Sequence, residues 1–181
     1  MKHIVVTHLD LDHAGGLADF PKAKVHVHEP EHAAAMKRES VLEKERYRPA
    51  QWAHRPDWQL HRVDGERWFG FNAVQAIDRD ADVLIVPLIG HTRGHAGIAV
   101  KDGVRWLLHA GDAYFFHDET DPVKPFCPPF FKVFQNTIEM DREQRLANQQ
   151  RLRELRRDHS NEVTIFSAHD PVELDPFQSA T

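Results

Sequence analysis

The chain has 181 residues, a formal net charge of −5, and 41% hydrophobic against 28% charged residues, which reads as one globular domain (1–181) with a real core. No apolar run approaches the roughly 20 residues that span a bilayer, and the acidic balance argues against a polyanionic partner, which needs clustered Lys and Arg. Cys127 is the only cysteine, so an internal disulfide is excluded and a reducing cytoplasm is the expected setting.

The first element is a β-branched run, Ile4-Val5-Val6, expected to be a buried strand. It runs into Thr7 to Gly16, THLDLDHAGG, which puts four potential metal ligands (His8, Asp10, Asp12 and His13) in six positions. Alternation along an extended chain would project His8, Asp10 and Asp12 from one side. Carboxylates and imidazoles this close repel or desolvate badly unless a cation holds them. The competing reading is a polar loop with helix-capping aspartates.

Lys24 to His28 alternates as a strand, with Val25 and Val27 on one face and His26 and His28 on the other, expected at the surface. Pro30 opens a helix-like stretch from Glu31 to Arg46, and Arg48 to Pro56 is irregular. Trp58 to Val63 and Phe71 to Ile77 look like two strands joined through Asp64-Gly65. Val83-Leu84-Ile85-Val86 is a strand buried on both faces, ending near His91. Two further strands, Ile98 to Lys101 and Val104 to His109, flank Asp102-Gly103, a strong hairpin signal. Four prolines argue against regular structure from Asp118 to Phe131, where Cys127 is expected to be a packing residue. Arg142 to Arg157 is a helix anchored by Leu146, Leu152 and Leu155, with Arg151, Arg153, Arg156 and Arg157 on a solvated face. Last comes Val163 to Phe166, ahead of His169. Strands that repeatedly end in ligands suit a layered α/β protein with its site along one sheet edge.

THLDLDH resembles the first metal motif of the metallo-β-lactamase-fold superfamily, His-x-His-x-Asp-His, with Asp10 in place of the second histidine. Gly90-His91-Thr92-Arg93-Gly94-His95, Ala110-Gly111-Asp112-Ala113 and Ser167-Ala168-His169-Asp170 resemble the later motifs, in family order. The resemblance covers nearly the whole chain and implies a four-layer αβ/βα sandwich lacking its usual leading strands. Only seven residues precede His8, so Met1 is expected to be internal to a longer protein. Failing that, the open sheet edge needs a cover, such as a homodimer.

By the same resemblance, His8, Asp10 and His91 would hold one divalent metal and Asp12, His13 and His169 a second, with Asp112 bridging. Two such metals can share a water and make it a hydroxide near neutral pH. Asp12 and Tyr114 are the candidate catalytic residues, Tyr114 as a hydrogen-bond donor to the oxyanion or, equally, as a packed aromatic. His95 is expected to orient a ligand without binding metal. Zinc is the expected metal; the carboxylate of Asp10 shifts preference toward manganese or iron. With two dications and a hydroxide, three carboxylates leave the site neutral. The implied function is hydrolysis of a small ester, lactone or thioester. The alternatives are a phosphodiesterase or nuclease, or a non-hydrolytic di-iron protein. A small-molecule substrate, no membrane and no nucleic acid are the expected partners.

Overall fold

The computed structural model describes residues 1–63, 66–77 and 82–178. Among these, nine strands form two sheets. The first is parallel throughout, β1 (His3–Val5), β2 (Lys24–His28) and β3 (Asp57–His61), in the order β1-β2-β3. Parallel neighbours need crossovers. These are supplied by the short α1 (Leu11–Ala14) between β1 and β2, and by α2 (Glu29–Lys37) and α3 (Val41–Arg46) between β2 and β3. The second sheet runs β4 (Glu66–Trp68), β5 (Phe71–Gln75), β6 (Val83–Pro87), β7 (Ala96–Asp102), β8 (Arg105–His109) and β9 (Val163–Phe166). It is antiparallel as far as β8, and β9 lies parallel to β8.

Period-two alternation sorts the side chains into three apolar layers. Val25 and Val27 of β2 turn outward against Ala34, Ala35 and Tyr47. Ile85, Ala96 and Ile98 turn inward, with Val5 of the first sheet packed against them. Leu84, Val86 and Leu108 turn to the far side and meet Leu152 and Leu155 of α5 (Arg142–His159). Helices, sheet, sheet and helix therefore stack in the four-layer order that the resemblance implies. No helix among the described residues is long and apolar enough to cross a membrane.

Several local expectations are corrected. The stretch from Glu31 to Arg46 is two helices: Arg38 takes left-handed φ 50°, ψ 54°, and Ser40 with Glu43 forms a capping box that starts α3. β3 joins the first sheet and does not pair with β5. The hairpin partner of β5 is β4, with Trp68 opposite Phe71 across Phe69-Gly70. Both turn residues have positive φ, 45° and 82°, as a tight primed turn requires, although Phe-Gly is a weak signal for one. The Asp64-Gly65 turn lies outside the described residues. α4 (Pro129–Ile138) begins inside the proline-rich stretch, with Pro129 in its first turn, where the missing N–H costs nothing. In α5, Leu146 is exposed while Arg145 is buried. His26 and His28 are buried, because the inner face of β2 looks toward the second sheet and not toward solvent.

Candidate metal centre

The first motif lies where the two sheets meet. After β1 ends, Val6 still donates to His26 O at 3.1 Å and Thr7 O accepts from Ala96 N at 3.0 Å, so one segment is tied to both sheets. The alternation expected through Asp12 does not occur. The chain leaves the strand at Val6, and Asp12 and His13 are delivered by the helical turn of α1. Asp10 occupies the residue before that turn but makes no side-chain capping bond, which removes the capping explanation for it.

The ligand atoms fall into two groups sharing Asp112. Asp10 Oδ2 lies 3.1 Å from His91 Nε2 and 3.7 Å from His8 Nε2, and Asp112 Oδ2 lies 3.6 Å and 3.9 Å from the same two nitrogens. On the other side Asp12 Oδ2 is 3.6 Å from His13 Nε2 and 3.4 Å from His169 Nε2, and the two imidazoles are 3.3 Å apart. Asp112 Oδ1 is 3.2 Å from His13 Nε2, and its Oδ2 is 3.3 Å from His169 Nε2. Tetrahedral ligands held about 2.0–2.1 Å from one zinc are about 3.4 Å from each other, so this spacing fits a divalent ion in each group. His8 Nε2 and Asp112 Oδ1 are also buried without a hydrogen-bond partner, a costly arrangement for polar atoms unless a cation completes it. All seven sequence-predicted ligands are thus brought together.

The electrostatics follow the same division. Burial pulls the His8 pKa well below its ordinary value. Burial pushes the Asp112 carboxyl up, but the close imidazoles of His13 and His169, together with His8 and His91, outweigh it and hold it well below the usual carboxylate range. Burial also lowers His13, yet the carboxylates of Asp112 and Asp12 raise it overall, and Asp112 raises His169.

Around these residues sits a supporting layer. Thr7 Oγ1 is 2.9 Å from His8 Nδ1, and the His8 ring leaves Nε2 facing Asp10, Asp112 and His91. His95, 2.9 Å from Leu88 O through Nδ1, accepts the Asp112 backbone N–H at Nε2, also at 2.9 Å. The bond holds the backbone that carries the Asp112 carboxylate. Gly111 takes φ 56°, and a Cβ there would lie 2.6 Å from His95 Nε2. Phe115 stacks on the His169 ring at 5.4 Å and 5°.

Tyr114 is not brought to the centre: its hydroxyl is buried and donates to the Glu173 carboxylate at 2.9 Å. Two supporting residues escaped the sequence reading. Glu31, fully buried, accepts from Leu9 N, Tyr47 Oη, Thr92 Oγ1 and Gly94 N, and so ties the first motif to the second. Nothing in its Ala- and Glu-rich surroundings marks it. The other, Arg46, ends α3, and the Ser40-x-x-Glu43 capping signature could have placed that helix and its last turn.

A cleft of about 370 Å³ opens over the centre. Asp10, Asp12, His91, Asp112 and His169 contribute to it, and Phe115, Phe130, Phe131, Phe134 and Ile138 form an apolar wall, all but Phe115 from α4.

A sequence profile described as the Metallo-beta-lactamase superfamily matches residues 1–168, ending one residue short of His169. Two curated relatives, each named a probable metallo-hydrolase, from Mycobacterium tuberculosis and Mycobacterium bovis, are 44% identical over 172 residues. The match covers 94% of this chain and 55% of theirs, so the chain spans about half the length of these relatives. Among solved structures, an N-acyl homoserine lactone hydrolase with the product N-hexanoyl-L-homoserine at its catalytic metal centre aligns with a TM-score of 0.67 at 20% identity, covering 100% of this chain and 59% of that one. AidC, a dizinc quorum-quenching lactonase, aligns with a TM-score of 0.57 at 19% identity, covering 93% of this chain and 57% of that one. At such identities the structures establish the fold alone.

Proposed function

Because this chain belongs to the metallo-beta-lactamase superfamily, we propose that it carries the metal centre of a hydrolase acting on a small carboxyl ester, lactone or thioester with an apolar portion. The observation that carries this reading is the pair of ligand groups meeting on Asp112 at the floor of a cleft with a phenylalanine wall. His8, Asp10 and His91 would hold one divalent ion and Asp12, His13 and His169 the other, with Asp112 serving both. Zinc is the metal best matched to the four imidazoles, and the oxygen of Asp10 adds tolerance for manganese or iron. Such ions supply a nucleophilic water at neutral pH and a Lewis acid for the oxygen that gains charge.

The protein's own contribution is placement and exclusion of water. His95, Thr7 and Phe115 hold Asp112, His8 and His169 in fixed orientations, so little reorganisation accompanies the reaction. The wall of α4 takes the apolar part of the substrate out of water and leaves the reacting carbonyl above the carboxylates. A nuclease would need free cations near the cleft. Instead the arginines at 151, 153, 156 and 157 of α5 bind their own chain: Arg151 stacks 4.0 Å over Phe71, Arg153 donates to Glu119 O, Arg156 to Thr120 Oγ1 and Arg157 to Asp158. The setting in the cytoplasm belongs to the same proposal. Zinc- and manganese-loaded protein assayed on esters and lactones of graded acyl length, beside a phosphodiester, tests the reading. Turnover of the carboxyl substrates that rises with acyl length supports it; turnover of the phosphodiester alone defeats it.

A further inference from the structure

The departure of the first motif from its family pattern, aspartate at position 10, has a companion in the fold. Arg46, the last residue of α3, is buried and places its guanidinium against three acceptors. Nη1 donates to the backbone carbonyl of His91 at 2.8 Å, and Nη2 to that of Ile138 at 2.7 Å. The remaining nitrogen, Nε, lies 3.5 Å from Asp10 Oδ1. Among the described residues neither Nε nor Oδ1 has a hydrogen-bond partner, so these two buried atoms of opposite charge face each other. Meanwhile the second oxygen of the carboxylate, Oδ2, is turned to His91 Nε2 and His8 Nε2.

We propose that Arg46 is the positioning residue that makes Asp10 serviceable as a metal ligand. It engages Oδ1, so that Oδ2 alone is presented between His8 and His91. It also restores the positive charge that an aspartate removes when it replaces a neutral imidazole. A carboxylate buried without a cation beside it would be costly, and a second oxygen free to swing would leave the denticity of the site undefined. The neutral site counted from ligands alone becomes net positive once Arg46 is included, so the shift toward harder metals that Asp10 implies is partly offset. The same guanidinium clamps the His91 carbonyl and the end of α4, which joins the ligand loop to the cleft wall. The inference rests on reading His8, Asp10 and His91 as a metal site.

The test is a double-substitution cycle read by metal affinity, using zinc and manganese each alone in competition with a chelator. The proteins are the parent, Arg46→Met, Asp10→His, and the two combined, with Arg46→Lys as the variant that keeps the charge. In the parent background Arg46→Met should weaken metal binding roughly 10–100-fold, the range for removing a group that supports a ligand. Arg46→Lys should retain most of the affinity. With histidine at position 10, Arg46→Met should cost clearly less, because only the clamp on the His91 carbonyl is then lost, against the relief of a guanidinium beside a dication. Equal losses in both backgrounds would show a merely structural arginine and overturn the proposal, as would no loss in either. Metal-free circular dichroism shows that each variant is folded; if Arg46→Met is not, the comparison is made with Arg46→Gln, whose neutral amide should cost more affinity with aspartate at position 10 than with histidine. A parent chain that takes up no divalent metal would overturn the metal-site reading and this one together. A parent that binds metal without the coupling overturns this one alone.

Discussion

At the scale of single residues, Asp112 is the position on which the proposed centre depends, because both its oxygens face candidate ligands. One faces His13 and the other faces His8, His91 and His169. Asp112→Ala should therefore remove most of the metal from both groups at once, where the parent is expected to hold close to two ions per chain. Elemental analysis after dialysis decides this, and a variant that keeps its full metal would show that Asp112 is not shared. Tyr114, two residues on, gives the opposite expectation. Its hydroxyl is committed to Glu173 inside the core, and burial followed by the neighbouring carboxylate pushes its pKa well above the ordinary value. Tyr114→Phe should cost about 1–3 kcal/mol of stability, since the half-buried Glu173 carboxylate loses the donor that lies against both its oxygens, and should leave kcat nearly unchanged. Urea unfolding and steady-state kinetics on the same variant separate those two effects.

Among the elements, α4 is the one that the proposed function ties to substrate choice. Its phenylalanines face the cleft, while Gln135 on its other side is buried and accepts from Arg145. Losing one aromatic from the wall removes apolar contact worth about 1.5–3 kcal/mol if the substrate fully buries it. Phe134→Ser should accordingly lower kcat/KM for long acyl esters about tenfold while sparing acetyl esters. An equal loss for both lengths would mean that α4 does not touch the acyl portion. This helix was invisible in the sequence because prolines at 122, 125, 128 and 129 read as breakers, although one in a first helical turn is harmless. The proposed ligands were legible for the opposite reason: a cation demands particular side chains, and each motif follows an apolar strand. Strand partners were less so. Trp58 to Val63 looks as ready for a hairpin as for a parallel sheet, and only the crossover through α2 and α3 decides it. Arg46 and Glu31 act through backbone groups distant in sequence, which no local pattern records.

For the molecule as a whole, charge and burial make two predictions. Arginines with donors already committed to their own chain form a poor track for a phosphate backbone, so ester turnover should be nearly insensitive to salt between about 50 and 200 mM. Salt-sensitive cutting of nucleic acid would contradict this. The second concerns the space between the sheets, where three histidines from three strands form a chain. His3 Nδ1 lies 2.8 Å from His26 Nε2, and His26 Nδ1 lies 3.0 Å from His61 Nε2. Burial, then the neighbouring His61 and His3, brings His26 down from 6.5 to about 4, and burial also lowers His28 and His61. These groups accept protons more readily in the unfolded chain, so unfolding takes up protons on acidification. The stability they allow is complete above pH about 6.5 and is lost as the pH falls toward about 4. His26→Gln cannot take up that proton, yet can still donate to one neighbour and accept from the other. In metal-free protein its denaturant midpoint should fall less steeply than the parent's between these pH values. The ligands at the centre titrate alike in both proteins, so the difference in slope belongs to the histidine chain. Parallel slopes would mean that His26 is charged in the folded protein or that water reaches it freely.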